Sequence, residues 1–388
     1  MTATAAERGD PLRVLHLGKF LPPCPGGIER FLGELMPALR LHGVASAALV
    51  HAEPGYTGPM LRRQGRSPAL RTPVLATPAF TPVSPSWPMR LQGMTGRWKP
   101  DLLHLHLPNP SAFWALMLPS ARRLPWIVHW HADVPVDALD WRLRALYRIY
   151  RPLETAVLRR ARTIIASSHA YAASSQPLRR WQDKVVVHPL GLPDRATALK
   201  ESALWPDGTR LRLLFVGRFS YYKGIEHLVD AMARVPDDVR LVLVGDGERR
   251  GAIEQRISER ALAGRVQCVG HLDDAALDRA VASADLLCLP SIERSEAFGL
   301  VLLEAMRAGT ACLATAVKGS GMAEVVGDQA GVIVPPGDPA ALAEAITQLA
   351  QDRARLAAMA AAGRQRFVTR FGIDAVASAL SATYRAAL

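Results

Sequence analysis

The chain has 388 residues, 49% of them hydrophobic and 21% charged, with a formal net charge of +12. That length exceeds what one hydrophobic core usually supports, so two domains are expected, and the balanced composition excludes a disordered or low-complexity chain. The charge implies an anionic partner (nucleotide, phosphate, nucleic acid or membrane surface), while no segment reaches the ~18 uncharged apolar residues of a membrane span.

The N-terminus "MTATAAERGDPLRVLHLG" lacks a secretory signal, which predicts a cytoplasmic protein. After it, "RVLHLGKF" reads as a buried strand, "CPGGIE" as a glycine turn and "ERFLGELMPALRLHG" as an amphipathic helix ended by Gly43. "ASAALVHA" is a second strand, followed by a proline-rich region from Pro54 to Pro100 without clear elements. "DLLHLHLP", "PWIVHWHA" and "RTIIASS" are further buried strands, each followed by helical sequence. Strands alternating with helices predict a parallel, doubly wound sheet. The pattern weakens from "VVVHPLGLPD" to "DGTRLRLL", a linker, and then restarts with "LRLLFVGRF", "VRLVLVGDG", "VQCVGHL", "DLLCLPS", "ACLAT" and "GVIVPP". Two consecutive α/β domains are predicted, over residues 1–195 and 196–369, with a ligand cleft between them. Cys24, Cys268, Cys288 and Cys312 are scattered without CxxC pairing, giving neither a disulfide framework nor a zinc site.

The charge is uneven. Between Trp141 and Ile165, seven arginines (142, 144, 148, 151, 159, 160 and 162) face a single acid, Glu154, and are interleaved with apolar residues. The stretch reads as a basic amphipathic helix restarted at Pro152. Either its apolar side lies in the core beneath a solvated face, or the helix docks on an anionic membrane.

Four motifs carry candidate chemistry. "GGIER" places Gly26 and Gly27 between strand and helix, where the backbone can approach a ligand and the helix start can meet an anion. "FVGRFSYYKG" puts Arg218 and Lys223 on one loop after a strand, a fork and a point charge suited to a diphosphate. "HLHLP" and "HWHADV" each send two histidines, His104 with His106 and His129 with His131, to one sheet face, with His131 nearest the cleft. No carboxylate or cysteine completes a metal-ligand pattern with them, so no metal is expected. Finally, "SEAFGLVLLEAMRAG" reads as a polar loop and a helix beginning near Ala297 to Gly299, with Glu296 before its mouth and Glu304 inside it. The helix start favours phosphate, and the carboxylates accept bonds from sugar hydroxyls. A nucleotide sugar would satisfy all of these groups together. "VGDGERRG" fails the GxGxxG spacing and does not indicate a dinucleotide site.

In this order, "GGIER", "HLHLP", "HWHADV", "IIASS", "FVGRFSYYKG", "VGDGE" and "SEAFGLVLLEAMRAGT" resemble the motifs of the retaining glycosyltransferases of family 4, which have the GT-B fold. Glu296 and Glu304, seven residues apart, match the family's E-x7-E motif. The resemblance implies two Rossmann-like α/β domains facing a central cleft. It implies that Glu304 holds the nucleotide ribose and Glu296 the donor sugar. Arg218 and Lys223 would hold the diphosphate and stabilise its departure. The amides of Phe298, Gly299 and Leu300 would meet the phosphates, with Gly27 close to them. His131 would touch the sugar near the reacting carbon, and Ser168 the sugar or acceptor. No cofactor or metal is expected, since Arg218 and Lys223 would replace a divalent cation. The family's closing crossover helix would correspond to residues of about 370–388, with Phe371 where a tryptophan is common.

The expectation is thus a cytoplasmic transferase, peripheral at the inner face of the cell membrane through the Trp141 to Arg162 region. It would move a hexose from GDP-mannose to a lipid-linked or cell-envelope glycan, as bacterial mannosyltransferases of polysaccharide assembly do. UDP-glucose, UDP-galactose and UDP-N-acetylglucosamine stay open as donors. A reading of another class, a non-catalytic nucleotide- or nucleic-acid-binding protein, would also use the charge. No aromatic-interleaved RNA motif or zinc finger supports nucleic acid as a partner.

Overall fold

A strand covered on both faces needs a mostly apolar run, and "LRVLHL", "LLHLHL" and "VRLVLV" are such runs, broken only by Arg13, His16, His104, His106 and Arg240. They form the central strands of two sheets in a computed structural model. The structure describes residues 10–24, 26–53, 55–78, 81–134, 141–195 and 204–388, with the side chains of 141–143 excepted. The first nine residues and most of the expected linker, 196–203, lie outside the described residues.

The chain divides into two units, Met1–Pro193 with Ile373–Leu388, and Asp194–Gly372. In the first unit the strands are β1 (Leu12–Leu17), β2 (Val44–His51), β3 (Leu61–Gln64), β4 (Ser67–Thr72), β5 (Leu102–Leu107), β6 (Trp126–Trp130), β7 (Thr163–Ala166) and β8 (Val185–Val187). Their helices are α1 (Gly27–Leu39), α2 (Trp87–Arg97), α3 (Pro119–Arg122), α4 (Trp141–Arg160) and α5 (His169–Ser174). The sheet runs β3-β4-β2-β1-β5-β6-β7-β8. Every pairing in it is parallel except the β3–β4 edge.

The second unit carries β9 (Leu211–Val216), α6 (Ile225–Met232), β10 (Val239–Val244), α7 (Arg250–Glu259), β11 (Val266–Gly270), α8 (Asp274–Ser283), β12 (Leu286–Leu289), α9 (Leu300–Ala308), β13 (Ala311–Thr315), α10 (Met322–Val326), β14 (Gly331–Val334), α11 (Pro339–Gln351) and α12 (Arg353–Arg366). Its strands order as β11-β10-β9-β12-β13-β14, all parallel. The order reverses beside β9, whose neighbours β10 and β12 lie on opposite sides. Loops leaving the carboxyl ends of β9 and β12 therefore diverge around one point, the usual ligand position in such sheets.

The last helix, α13 (Ile373–Ala386), belongs to the first unit. Its Tyr384 hydroxyl shares a 2.8 Å hydrogen bond with His104 Nδ1, and its Thr383 hydroxyl shares one with His188 Nε2 at 2.8 Å. Arg162 donates to the Ala387 carbonyl at 2.7 Å, and Asp374 meets His42 at 2.9 Å.

Two local expectations change. The proline-rich region holds β3, β4 and α2, and β3 was illegible because as an exposed edge strand, "LRRQ", it buries no face. The basic helix is not restarted at Pro152: α4 is continuous with the proline inside it. Proline removes one donor from a helix interior, and here buried Glu154, Val157 and Leu158 anchor the turns that follow. The apolar residues Leu146, Ile149 and Leu153 of α4 point outward, 58%, 69% and 40% exposed, and do not lie in the core. No helix among the described residues is long and apolar enough to cross a membrane.

Glu154 is 2% exposed, accepts a hydrogen bond from the Tyr147 hydroxyl at 3.2 Å, and has Oε1 without a partner. Burial pushes its carboxyl up to about 7. An acid raised in the folded state binds more protons folded than unfolded, so its contribution to stability falls as pH rises from about 4.5 to about 7. Glu154→Gln should remove that loss, leaving the variant more stable than wild type at pH 8 by at most about 3 kcal/mol and equal to it near pH 4. Urea midpoints across this range measure the difference, and parallel pH profiles would refute it.

Candidate active site

In the second unit, the loop after β9 carries Arg218 and closes in a 3₁₀ turn at Tyr221–Lys223. Gly224 ends the turn with φ 64°, and a Cβ there would lie 2.3 Å from the Pro290 carbonyl oxygen. Only glycine combines that backbone with that approach. The loop after β12 thus rests on the loop after β9, and the Ile292 N–H donates to the Tyr222 carbonyl at 2.8 Å.

The β12 loop ends at Gly299, φ 78°, which precedes the first turn of α9 and brings no side-chain cap. A Cβ at Gly299 would stand 2.9 Å from Leu302 and 3.0 Å from Leu289 side-chain carbons. The first N–H groups of α9 are therefore bare of side chains and carry the positive end of the helix dipole.

Between these loops the Lys223 ammonium is ion-paired with Glu296 Oε2, their side chains only 11% and 12% exposed. Burial alone would pull the lysine down, but the Glu296 carboxylate outweighs it and holds the ammonium above its ordinary value. The Ser320 hydroxyl donates to the Glu296 carbonyl, and the Gly321 N–H donates to the Ala297 carbonyl at 2.8 Å, so the loop after β13 braces the one after β12. No motif in the sequence marked Ser320 or Gly321; a serine between glycines in "KGSGM" is the one signal that could have.

Glu304 lies in the second turn of α9, 8% exposed. Phe298 turns its ring into the core of this unit, edge-on to Phe371 at 6.2 Å, leaving its backbone to the loop. Arg218 stands at the same strand ends, but its guanidinium is 3.1 Å from the Glu248 carboxylate and more than half exposed. An exposed pair of this kind is weak, so Arg218 can exchange partners at little cost. The structure thus gathers Lys223, Glu296, Phe298, Gly299, Leu300 and Glu304 on two braced loops and one helix, with Arg218 beside them.

In the first unit Gly27, His131 and Ser168 follow the carboxyl ends of β1, β6 and β7. Gly27 opens α1, whose preceding Gly26 offers no side-chain cap. Ser168 is the cap of α5, its hydroxyl accepting from the Tyr171 N–H at 3.1 Å.

His131 is the outermost ring of a buried layer. Cross-strand neighbours His16 and His104, and likewise His106 and His129, align their side chains on one face of the sheet. Ring nitrogens approach at 3.2 Å between His16 Nδ1 and His106 Nε2, and at 3.0 Å between His106 Nδ1 and His131 Nε2. His129 stacks on His131, centroids 4.2 Å apart. Burial pulls the imidazolium forms down to about 3 at His16 and His131, and well below the ordinary value at His104, His106 and His129, so these rings are neutral.

The triads His16, His104, His106 and His106, His129, His131 each bring ligand atoms within 4.8 Å. His106, common to both, spends both nitrogens on its neighbouring rings. No carboxylate or thiolate among the described residues joins either triad to balance a divalent charge. As described, the rings form a hydrogen-bonded network.

Comparison with known proteins gives the family. A model of the glycosyl transferases group 1 family matches residues 199–366, and one of the glycosyl transferase 4-like domain matches residues 26–191. The O-antigen chain mannosyltransferase C of Escherichia coli is 30% identical over 94% of this chain and 95% of its own length. The chain belongs to the group 1 glycosyltransferases.

A second relative, the phosphatidyl-myo-inositol mannosyltransferase of Mycobacterium leprae, is 30% identical over 93% of each chain. In fold, this glycosyltransferase is similar to the sucrose-phosphate synthase of Thermosynechococcus elongatus, with a TM-score of 0.77 over 97% of this chain and 98% of that one, at 24% identity. Its two Rossmann-like units are those of the GT-B fold. In the glycosyltransferase, Glu296 and Glu304 are the two ends of the E-x7-E spacing, and the structure puts the first on a loop and the second on a helix.

The Lys223–Glu296 pair gives a test independent of turnover. Lys223→Met leaves a mostly buried carboxylate without its counter-ion, a loss of about 3 kcal/mol. Replacing both residues by apolar ones, Lys223→Met with Glu296→Leu, should recover most of that stability. Guanidinium midpoints of the two single variants and the double variant measure the coupling. Additive losses would show that the pair is not coupled in solution.

Proposed function

We propose that this glycosyltransferase moves a hexose, with retention of configuration, from a nucleotide sugar to a lipid-linked or cell-envelope glycan, and that the donor is GDP-mannose. The observation that carries the reading is the braced Lys223–Glu296 pair at the bare start of α9, one turn from Glu304. Cation, helix dipole and two carboxylates are there on two braced loops and one helix, which suits a ligand holding both phosphates and hydroxyls.

In this reading the second unit takes the donor. Glu304 accepts from the ribose hydroxyls and Glu296 from the sugar hydroxyls. Lys223, Arg218 released from Glu248, and the amides of Phe298, Gly299 and Leu300 hold the diphosphate. As the glycosidic bond to the diphosphate breaks, charge grows on the leaving oxygen, and these donors stabilise it more in the transition state than before. Gly27 is assigned to the phosphates and His131 to the sugar; Ser168, expected to touch the sugar or acceptor, has its hydroxyl engaged in capping α5. The departing phosphate takes the acceptor's proton on the same face. No metal cofactor is assigned. The mannosyl donor is favoured by the two mannosyltransferase relatives.

A melting-temperature screen of the full chain against GDP, UDP, ADP and their sugars tests the donor. A ligand at 100 times its dissociation constant adds about 2.7 kcal/mol of stability. GDP and GDP-mannose should stabilise the wild type; Glu304→Ala should abolish both effects, and Glu296→Gln only the sugar's increment. Arg218→Ala should reduce turnover by about 100-fold while leaving melting unchanged. A response to UDP-glucose alone would overturn the mannosyl donor, and no response to any nucleotide would overturn the site.

In this reading the enzyme works at an anionic membrane on its cytoplasmic side. Exposed Leu146, Ile149 and Leu153 share a face of α4 beside exposed Arg144, Arg148 and Arg151, an arrangement suited to the interface of acidic lipids. The full chain should sediment with phosphatidylglycerol vesicles and not with phosphatidylcholine vesicles, and Leu146→Ser with Ile149→Ser should weaken this by about 10-fold. Equal sedimentation of wild type and variant would dismiss the surface.

A further inference from the structure

The three amides assigned to the diphosphate, at Phe298, Gly299 and Leu300, belong to three successive peptides, and a peptide is planar and trans. Fixing its carbonyl therefore fixes the direction of its N–H. The Ala297 carbonyl accepts from the Gly321 N–H at 2.8 Å, which sets the Phe298 amide. The Gly299 carbonyl accepts from the Leu302 N–H at 2.9 Å, which sets the Leu300 amide. The middle amide, at Gly299, shares a peptide with the Phe298 carbonyl. Its direction follows the backbone of Phe298, and hence the seat of the Phe298 ring.

That seat is Phe371. The two buried rings meet edge to face, their planes 77° apart and their centroids at 6.2 Å, an arrangement in which ring quadrupoles attract. Phe371 ends a single π-turn, Phe367–Phe371, that follows α12 and is closed by the Gly372 N–H donating to the Phe367 carbonyl at 2.9 Å. Such turns are rare and often serve a site. This one is tied down from outside itself. Arg366, just before it, donates to the carbonyls of Glu324 and Val325 at 2.6 and 2.9 Å, and its guanidinium lies 5.8 Å from the centre of the Phe371 ring. Both ends of α10 thus bear on the same peptides: its start, through the Gly321 N–H, on Ala297, and its end, through Arg366, on Phe371.

We propose that Phe371 is a positioning residue for the donor diphosphate: through the Phe298 ring it sets the direction of the Gly299 N–H. The inference rests on the assignment of these amides to the diphosphate under the proposed function. Phe371 lies in the core of the second unit and meets no ligand, so it acts through Phe298. A leucine at 371 would leave the edge contact unmade and open space into which the Phe298 ring can turn, carrying the Gly299 peptide with it. The amides on either side keep their own anchors at Gly321 and Leu302. The loss therefore falls on the phosphates and not on the nucleoside.

The test separates phosphate binding from nucleoside binding. Calorimetric titrations of the full chain with GDP, UDP and ADP identify the nucleotide that the wild type binds, and the matching nucleoside is titrated in parallel. Phe371→Leu should raise the dissociation constant of the nucleoside diphosphate about 10-fold, the loss of one hydrogen bond to a charged group, and that of the nucleoside less than about 2-fold. Phe298→Leu should give the same selective loss, and the double variant no more than either single one, because both act on one peptide. An unchanged diphosphate constant in folded Phe371→Leu, equal losses for nucleoside and diphosphate, or additive losses in the double variant overturns the inference. If Phe371→Leu does not fold, Phe371→Met, closer in volume, is read by the same criteria. Absence of binding of all three nucleotides by the wild type would instead overturn the donor reading itself, so the two failures are distinguishable.

Discussion

A buried cation facing a buried carboxylate is what organises the second unit's strand ends. Lys223 and Glu296 come from loops that are far apart in sequence and converge because the strand order reverses beside β9. Each would be costly to bury alone, so the pair holds the two loops together as much as the backbone bonds between them do. The glycine at 224 follows from this, since the β12 loop leaves no room there for a side chain, while Gly299 is confined instead by Leu302, Leu289 and Met322. The start of α9 is bare because a glycine precedes it and brings no side-chain cap, so the positive end of the helix dipole is uncovered there.

Much of this was legible because it depends on local pattern. Mostly apolar runs gave the central parallel strands, and the alternation of strands with helices gave the two sheets. Glu304 stood out because a carboxylate inside "GLVLLEAM" has no reason to be there unless something meets it, and Glu296 because it precedes the same helix at the E-x7-E spacing. The continuity of α4 through Pro152 was not legible, since it turns on what the following turn buries, a tertiary fact. Nor was the outward direction of Leu146 and Ile149, because helical periodicity defines a face without saying what it faces. Edge strand β3 has no apolar face to announce it. The brace from Ser320 and Gly321 depends on a loop fold that no spacing encodes.

The first unit solves a different problem. Five imidazoles lie on one face of adjacent strands, where apolar side chains would ordinarily pack. Low local polarity keeps them uncharged, and as uncharged rings they can be both donor and acceptor to one another. A polar layer of this kind is unforgiving of register: sliding β5 by one residue would send His104 and His106 to the other face and leave His16 and His131 without partners. The layer thus specifies strand alignment more sharply than an aliphatic core could.

The helix α13 has a consequence for the order in which the molecule can be completed. Because Tyr384, Thr383 and Ala387 contact residues that precede the second unit in sequence, the second unit is a continuous insertion within the first. A ribosome releases all of Asp194–Gly372 before it releases the segment that closes the first unit. Every residue of the second unit is thus made while the unit bearing the histidine layer still lacks the helix whose Tyr384 meets His104. A chain cut short before Ile373 would keep every residue of the second unit and leave the first without α13.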